Sequence, residues 1–564
     1  MPQTKLDRFT ASAATAFLAA VLCVFPLYID RFSNLGLTKF TGVALLFLLF
    51  GALLGANAAV GAKGPAQRWQ GAWKDGTATA LVLVAATTVL STVFSLSPAS
   101  SVWGLGGYYG GLVLALLTAM GYCCVRTFAR REDVDFLLFG IGVTSVVVVI
   151  LYVLNIFNVD LIGAYENTAV TERAQFFSTL GQKNFNAGFF AISLPLVFYA
   201  FLNAEGPRRT ALYAPAAVFG ALALAVVDAE GLALGVGAAL VVLVCSKSIN
   251  TKKLGRLLLI GAAFFGWAAL MYHMRRTVYT QGGTAILAGF GRPQLALPCA
   301  AVCLLGWLAF LLWRRLHKPG ACPVRIYHIT RIAVAAGGII TVVLFLLANF
   351  WPAYPGLGRL DGILIFNDDW GTYRGTAWRI AAGTWADGSI FRKLFGFGPS
   401  TMHEAVTLWA GADLTARMKT FYAAHNEYLE QLLTTGLLGL AAWVWFVAAH
   451  LKRGFANWLR PGVAPVLLAL CSYLAQAVVS IRVSMNFPLI MLLFGLLAAL
   501  TAPEPAAQPA PPAPKPRPGK RPKKAPAPAA PPNPLLRYGG ITAAAIGMML
   551  LACVLSPVIF AFLY

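Results

Sequence analysis

A chain of 564 residues that is 59% hydrophobic and only 12% charged, with a mean hydropathy of +0.71, is excluded from the ordinary soluble domains, in which about a quarter of residues are charged. Its formal charge of +23 would suit nucleic acid, but the basic residues are spaced as a membrane-topology signal, and no nucleic-acid partner is expected. The composition reads as all-α: a polytopic helical membrane protein of about 14–15 transmembrane helices with a long extracytoplasmic loop.

Apolar segments fall near residues 10–30, 38–59, 77–97, 108–127, 134–156, 186–203, 211–228 and 231–246. Further segments lie near 254–272, 294–313, 330–350, 428–449, 463–481, 485–501 and 539–562. The first exceeds the apolar stretch of a cleavable signal and no clear small-residue cleavage site follows, so it reads as a retained span. If Lys5 and Arg8 are cytoplasmic, every second loop should be basic. Lys63, Arg68 and Lys74, then Arg126, Arg130 and Arg131, then Arg208 and Arg209, then Lys252, Lys253 and Arg256 follow that alternation, as do Arg314, Arg315 and Lys318, and then Lys452, Arg453 and Arg460. The loops near 157–185, 274–293 and 351–427 are thereby expected outside, in a cytoplasmic (inner) membrane. The cysteines fall in spans or cytoplasmic loops, which argues against disulfides or a cysteine-ligated zinc.

Three parts follow from composition. Residues 1–501 form a membrane domain containing the 351–427 loop, in which chemistry is expected. Residues 502–537 are dense in proline and lysine and read as a disordered cytoplasmic linker, with Lys515, Arg517, Lys520, Arg521, Lys523 and Lys524 either solvated or near anionic membrane lipids. Residues 538–564 form a last span. No phosphate-binding glycine loop of the nucleotide-hydrolase type occurs, so cytoplasmic nucleotide is not an expected energy source.

Three outer segments carry candidate functional residues. In TERAQFFSTLGQKNFNAGFF, Arg173 precedes a Gly181/Asn184/Gly188 turn; glycine and asparagine there are also ordinary loop-to-helix punctuation. In GTYRGTAWRIAAGTWADGSIFRKLFGFGPS, Arg374 and Arg379 lie near Trp378 and ahead of Gly396 and Gly398. Arginine forks grip phosphate oxygens, and glycines allow close approach of backbone to a ligand. The third segment, AAHNEYLEQLLTTGLLGL, sets His425, Asn426 and Tyr428 at the mouth of an apolar helix.

Taken in order, RGTAW, GFGP and HNEYLEQLLTTGLLG resemble the O-antigen ligase and polymerase superfamily, whose members join glycans supplied on a polyprenyl diphosphate. STLGQKNFNAGFF is similar to that family's earlier outer-loop motif, with Lys183 where proline is frequent. One departure stands out: where the family commonly has a Ser-Arg-Gly turn, this chain has VVDAEGLALG, with Asp228 and Glu230 in place of polar and cationic residues. The resemblance implies a membrane-embedded lipid-linked-sugar transferase fold and an inverting transfer.

The residues support that chemistry independently. Transfer from a diphosphate lipid needs a base for the acceptor hydroxyl and cations for the departing diphosphate. His425, ahead of a helix whose positive end disfavours imidazolium, is the expected base. Arg374 is the expected cation, with Arg173 and Arg379 as further donor-binding candidates beside Trp378, Gly396, Gly398, Asn426, Tyr428 and Asn184. Glu427, in the first helical turn, is expected to complement the helix dipole. No metal and no cofactor are invoked. Expected partners are a polyprenyl-diphosphate-linked glycan donor, a glycan or lipid acceptor and membrane lipids. A transporter or flippase for the same lipid is the alternative from another class, since intramembrane charge and broken helices serve it equally.

Overall fold

The computed structural model describes residues 5–59, 73–227, 229–246, 248–278, 290–316, 324–409, 422–503 and 534–563. The first half of the chain supplies α1 (Lys5–Ala19), α2 (Leu35–Ala59), α3 (Thr77–Val93), α4 (Pro98–Trp103), α5 (Leu112–Phe128), α6 (Val134–Ile156), α7 (Lys183–Asn203), α8 (Gly206–Val226), α9 (Glu230–Cys245) and α10 (Thr251–Thr277). The second half supplies α11 (Pro293–Leu316), α12 (Val324–Phe350), α13 (Asp361–Leu364), α14 (Trp370–Asp387), α15 (Ile390–Phe395), α16 (Met402–Trp409), α17 (Glu427–Ala456), α18 (Val463–Gln476), α19 (Phe487–Leu500) and α20 (Pro534–Leu563). Among the described residues, 10 helical stretches are long and apolar enough to cross a membrane. Apolar helices at Thr77–Val93, Leu112–Phe128, Glu230–Cys245, Val463–Val479 and Phe487–Leu500 are shorter than that. Every apolar segment expected from the sequence is therefore helical, but five of the expected spans fall short of the length at which a straight helix crosses about 30 Å of hydrocarbon. Nearly all of the proline- and lysine-rich linker lies outside the described residues. Beyond it, α20 returns to pack on α1 and α2.

A continuous apolar core joins α1, α2, α5 to α9 and α17 to α19. Two polar devices inside it follow from helices that break. After α1 the chain makes a π-helical turn at Ala20–Val24 and a tight turn at Phe25–Leu27 around Pro26, which frees carbonyls that lipid could not satisfy. Lys39 of α2, fully buried, donates to the Phe25 and Pro26 carbonyls at 3.1 and 3.0 Å. Its ammonium is therefore accounted for by the fold.

The second break lies in α17. Gly436 has φ +70° and interrupts the helix, leaving the Leu433 and Thr434 carbonyls to the loop after α15. There Phe397 N–H donates to Leu433 O at 3.1 Å and Gly398 N–H to Thr434 O at 2.8 Å, while the Ser91 hydroxyl adds a 2.6 Å bond to Thr434 O. A Cβ on Gly436 would stand 2.3 Å from Leu394 O, and one on Gly396 (φ +76°) 2.2 Å from Thr434 O. These two glycines permit one backbone to lie on the other. We expect Gly436→Ala to abolish the monodisperse folded protein, because the left-handed penalty of about 1–2 kcal/mol adds to a clash between fixed backbones. Gly237→Ala on α9, where a Cβ meets nothing within 4 Å, should leave size-exclusion behaviour and melting temperature unchanged.

The segment 351–409 is helical as well, with its own small core of Ile380, Ala381, Phe397, Met402, Ala405 and Val406 closed by Ala424 and Leu433 of the α17 region. The described residues 361–409 thus form a cap packed on the entrance to α17.

Candidate functional site

Arg374 and His425 are brought together from different parts of this cap. Arg374 belongs to the first turn of regular helix in α14, after Gly371, Thr372 and Tyr373, which carry φ of +59°, +63° and +67°. Such left-handed residues are costly for threonine and tyrosine and persist where the surroundings impose them. They are imposed here by a tight loop closure: Thr376 N–H donates to Asp368 O at 3.1 Å, and a Cβ on Gly375 would come 1.8 Å from Asn367 O. The glycine of RGTAW therefore lets the loop fold back and turns Arg374 inward.

Arg374 is 8% exposed. Its Nη1 donates to Gly371 O at 2.7 Å and to Glu230 Oε2 at 3.1 Å, a pair 144 residues apart in the chain. Its Nε is buried with no acceptor among the described residues. Burial lowers the guanidinium pKa and Glu230 opposes that shift, so the carboxylate at the start of α9 holds the charge in place. A buried N–H with no acceptor calls for an explanation, and an anionic oxygen approaching that edge supplies one. Asp228, the other acid of the VVDAEG turn, lies outside the described residues.

His425 takes a left-handed conformation, φ +52°, immediately before α17. Its pKa is lowered to about 4, first by burial and then by the Arg374 charge. The imidazole is thus neutral at physiological pH, with the Arg374 charge adding to the effect of burial. Left-handed backbone thus precedes the expected cation and occurs at the expected base itself.

The remaining expected residues divide. Asn426 caps α17, its Oδ1 accepting from Tyr428 and Leu429 N–H at 3.0 and 3.1 Å, and Tyr428 donates its hydroxyl to Leu474 O at 2.8 Å; both shape the helix entrance. Gly396 and Gly398 approach the α17 backbone and the Ser95 and Ser101 hydroxyls. Trp378 packs against Trp370 and Phe366 with a buried indole N–H that has no acceptor among the described residues. Arg379 pairs with Asp368 at 3.0 Å, half exposed, over the Phe366 ring. Arg173 lies over Tyr165 within its own loop. Asn184 sits partly buried in the first turn of α7, while Asn186, which the motif did not single out, binds the turn. The Asn186 amide donates to Phe177, Gly181 and Gln182 carbonyls and accepts from the Ser178 hydroxyl, closing the hairpin of β1 (Phe176–Phe177) and β2 (Gly181–Gln182).

Glu427 departs from the capping role expected of it. It is 4% exposed, accepts from the Tyr473 hydroxyl at 2.6 Å and faces Arg482 Nε at 3.6 Å. Because the Asn426 side chain already caps the helix, Glu427 is free to turn inward to a cation from the loop between α18 and α19. Arg482 was missed for the same reason: it lies outside the outer-loop motifs, and its stacking over Trp443 and Phe487 arises from long-range packing. The chain matches no family model, and no curated protein aligns with it significantly.

Proposed function

We propose that the protein is an O-antigen ligase-like glycosyltransferase. It moves a glycan from a polyprenyl-diphosphate donor to a hydroxyl of a glycan or lipid acceptor at the outer face of the cytoplasmic membrane. The observation that carries this reading is the convergence of a neutral, half-buried His425 with an Arg374 guanidinium whose Nε has no acceptor among the described residues. The resemblance of RGTAW, GFGP and HNEYL to the ligase and polymerase superfamily supports it.

In this mechanism the acceptor hydroxyl gives its proton to the His425 imidazole as its oxygen attacks the anomeric carbon. The bond from that carbon to the diphosphate oxygen breaks, and polyprenyl diphosphate departs with the electron pair against the Arg374 donors. One displacement inverts the anomeric centre. A base with a pKa near 4 is weak, and the donor offsets the smaller of the two causes: its negative charge beside Arg374 counters the charge that depresses His425, so basicity rises in part as the ternary complex forms. Glu230 keeps Arg374 oriented while the donor is absent and competes with the diphosphate when it binds, a moderating role that the cationic residue usual at that turn would not have.

The broken helix at Gly436 also suits a lipid transporter, and one assay separates the two. Purified protein in detergent, given polyprenyl-diphosphate glycan and an acceptor without nucleotide, is expected to form glycosylated product and release polyprenyl diphosphate in equal amounts. Movement of the donor lipid across vesicles with no released diphosphate would favour the transporter.

A further inference from the structure

A second pocket, apolar over most of its wall with a polar patch, lies on another face of the α17 entrance. It is a cavity of about 80 Å³ bounded by α3, α5, α17, α19 and the loops at 105–110 and 399–400. Glu427, Glu430, Gln431 and Arg482 line it, with Tyr108 and Tyr422, and Leu81, Val84, Ala115 and Met491 form its apolar part. Neither Arg374 nor His425 is among its lining residues.

Three polar groups in the cavity are not used up by the fold. Gln431 is 5% exposed, and its side-chain amide makes no hydrogen bond among the described residues, although its backbone carbonyl accepts from Thr435. Glu430 commits one oxygen, Oε2, to Ala424 N–H at 2.6 Å, which leaves Oε1. Arg482 Nη2 is buried without an acceptor among the described residues. A guanidinium N–H buried in the wall without an acceptor among the described residues, beside an amide that the fold leaves unbonded, is explained by a ligand that meets both.

We propose that this cavity binds the uncharged sugar head of a glycolipid. Its lining has both acceptors and donors, as the vicinal hydroxyls of a sugar require. Tyr108 and Tyr422 add aromatic surface suited to sugar C–H groups, and the apolar side between α3, α5 and α19 can take the first carbons of an alkyl chain. Arg482, the guanidinium in the lining, is already drawn toward Glu427, which disfavours phosphate relative to an uncharged sugar. As a sugar site the cavity stands on its own geometry; as the pocket for the acceptor it rests on the transferase reading above, and Ala423, Glu427 and the intervening His425 place the two compartments on one stretch of chain.

The test is equilibrium binding of radiolabelled octyl-β-D-glucoside, below its micellar concentration, to the full-length protein in lipid nanodiscs. We expect saturable binding that octyl phosphate and octanol do not compete. Gln431→Leu should weaken it about fivefold to tenfold, the loss of one or two neutral hydrogen bonds, and Glu430→Gln, which keeps the size of the side chain, should weaken it by a similar factor. His425→Ala should leave this affinity within twofold. Non-saturable uptake, equal competition by octyl phosphate, or unchanged affinity in a folded Gln431→Leu or Glu430→Gln protein would overturn the proposal. Saturable, Gln431-dependent binding in a protein that makes no product would leave the sugar site standing and remove the transferase reading. Product formation with octyl glucoside binding indifferent to Gln431 would do the reverse.

Discussion

His425→Ala is expected to lower turnover by about 10²-fold or more while donor binding stays near its original strength, because the imidazole accepts a proton in the transition state and holds no part of the diphosphate. The pH profile sharpens the expectation. In the free protein His425 titrates at about 4, so kcat/KM, which reports the free enzyme, should stay flat from neutral pH down to about pH 5. The profile of kcat reports the donor-bound state, where the diphosphate offsets Arg374, and its acidic limb should lie at higher pH. The sign follows from the depressed pKa: the neutral form prevails above it, and activity falls as pH drops through it. Replacing Arg374 with glutamine removes the second of the two causes and should move the kcat/KM limb upward, toward the ordinary histidine value. Full turnover in a folded His425→Ala protein, or a single limb that Arg374→Gln does not move, would remove His425 from the chemistry.

The second large effect is expected from Arg374→Lys. Lysine retains the charge and could still reach Glu230, yet it cannot at once bond Gly371 O and Glu230 through Nη1 and present a separate Nε–H edge to an oxygen. Loss of one charge-assisted hydrogen bond of about 1.5–3 kcal/mol corresponds to roughly 10- to 100-fold in kcat/KM. We expect Arg374→Lys to approach Arg374→Ala in severity, with both melting close to the parent protein. Comparable kcat/KM for lysine and arginine would mean that only the charge at this position matters.

Much of the fold was legible because local chemistry dictates it. Each apolar run became a helix, since an uninterrupted apolar stretch satisfies its own backbone and can do so in lipid. Asn426 stands where a short side-chain acceptor must stand to meet the first free N–H groups of α17. The order of the RGTAW, GFGP and HNEYL motifs likewise singled out Arg374 and His425 without knowledge of their separation in space.

What the sequence by itself determined about this protein is therefore an all-helical membrane chain and a short set of residues capable of acid–base and anion chemistry. Tertiary structure decided how those residues are used. Gly396 reads in sequence as a hinge for ligand approach, but it packs on the backbone freed by Gly436, because a broken helix must find donors for its carbonyls. Glu427 reads as a dipole partner and instead meets Arg482 and Tyr473, contacts made by residues far along the chain. Arg374 is held by Glu230 from α9, and its left-handed approach through Thr372 and Tyr373 is imposed by the Asn367–Gly375 contact. Local propensity cannot anticipate such contacts, since each opposes the conformation or partner that the neighbouring residues alone would favour and is sustained by packing between distant segments.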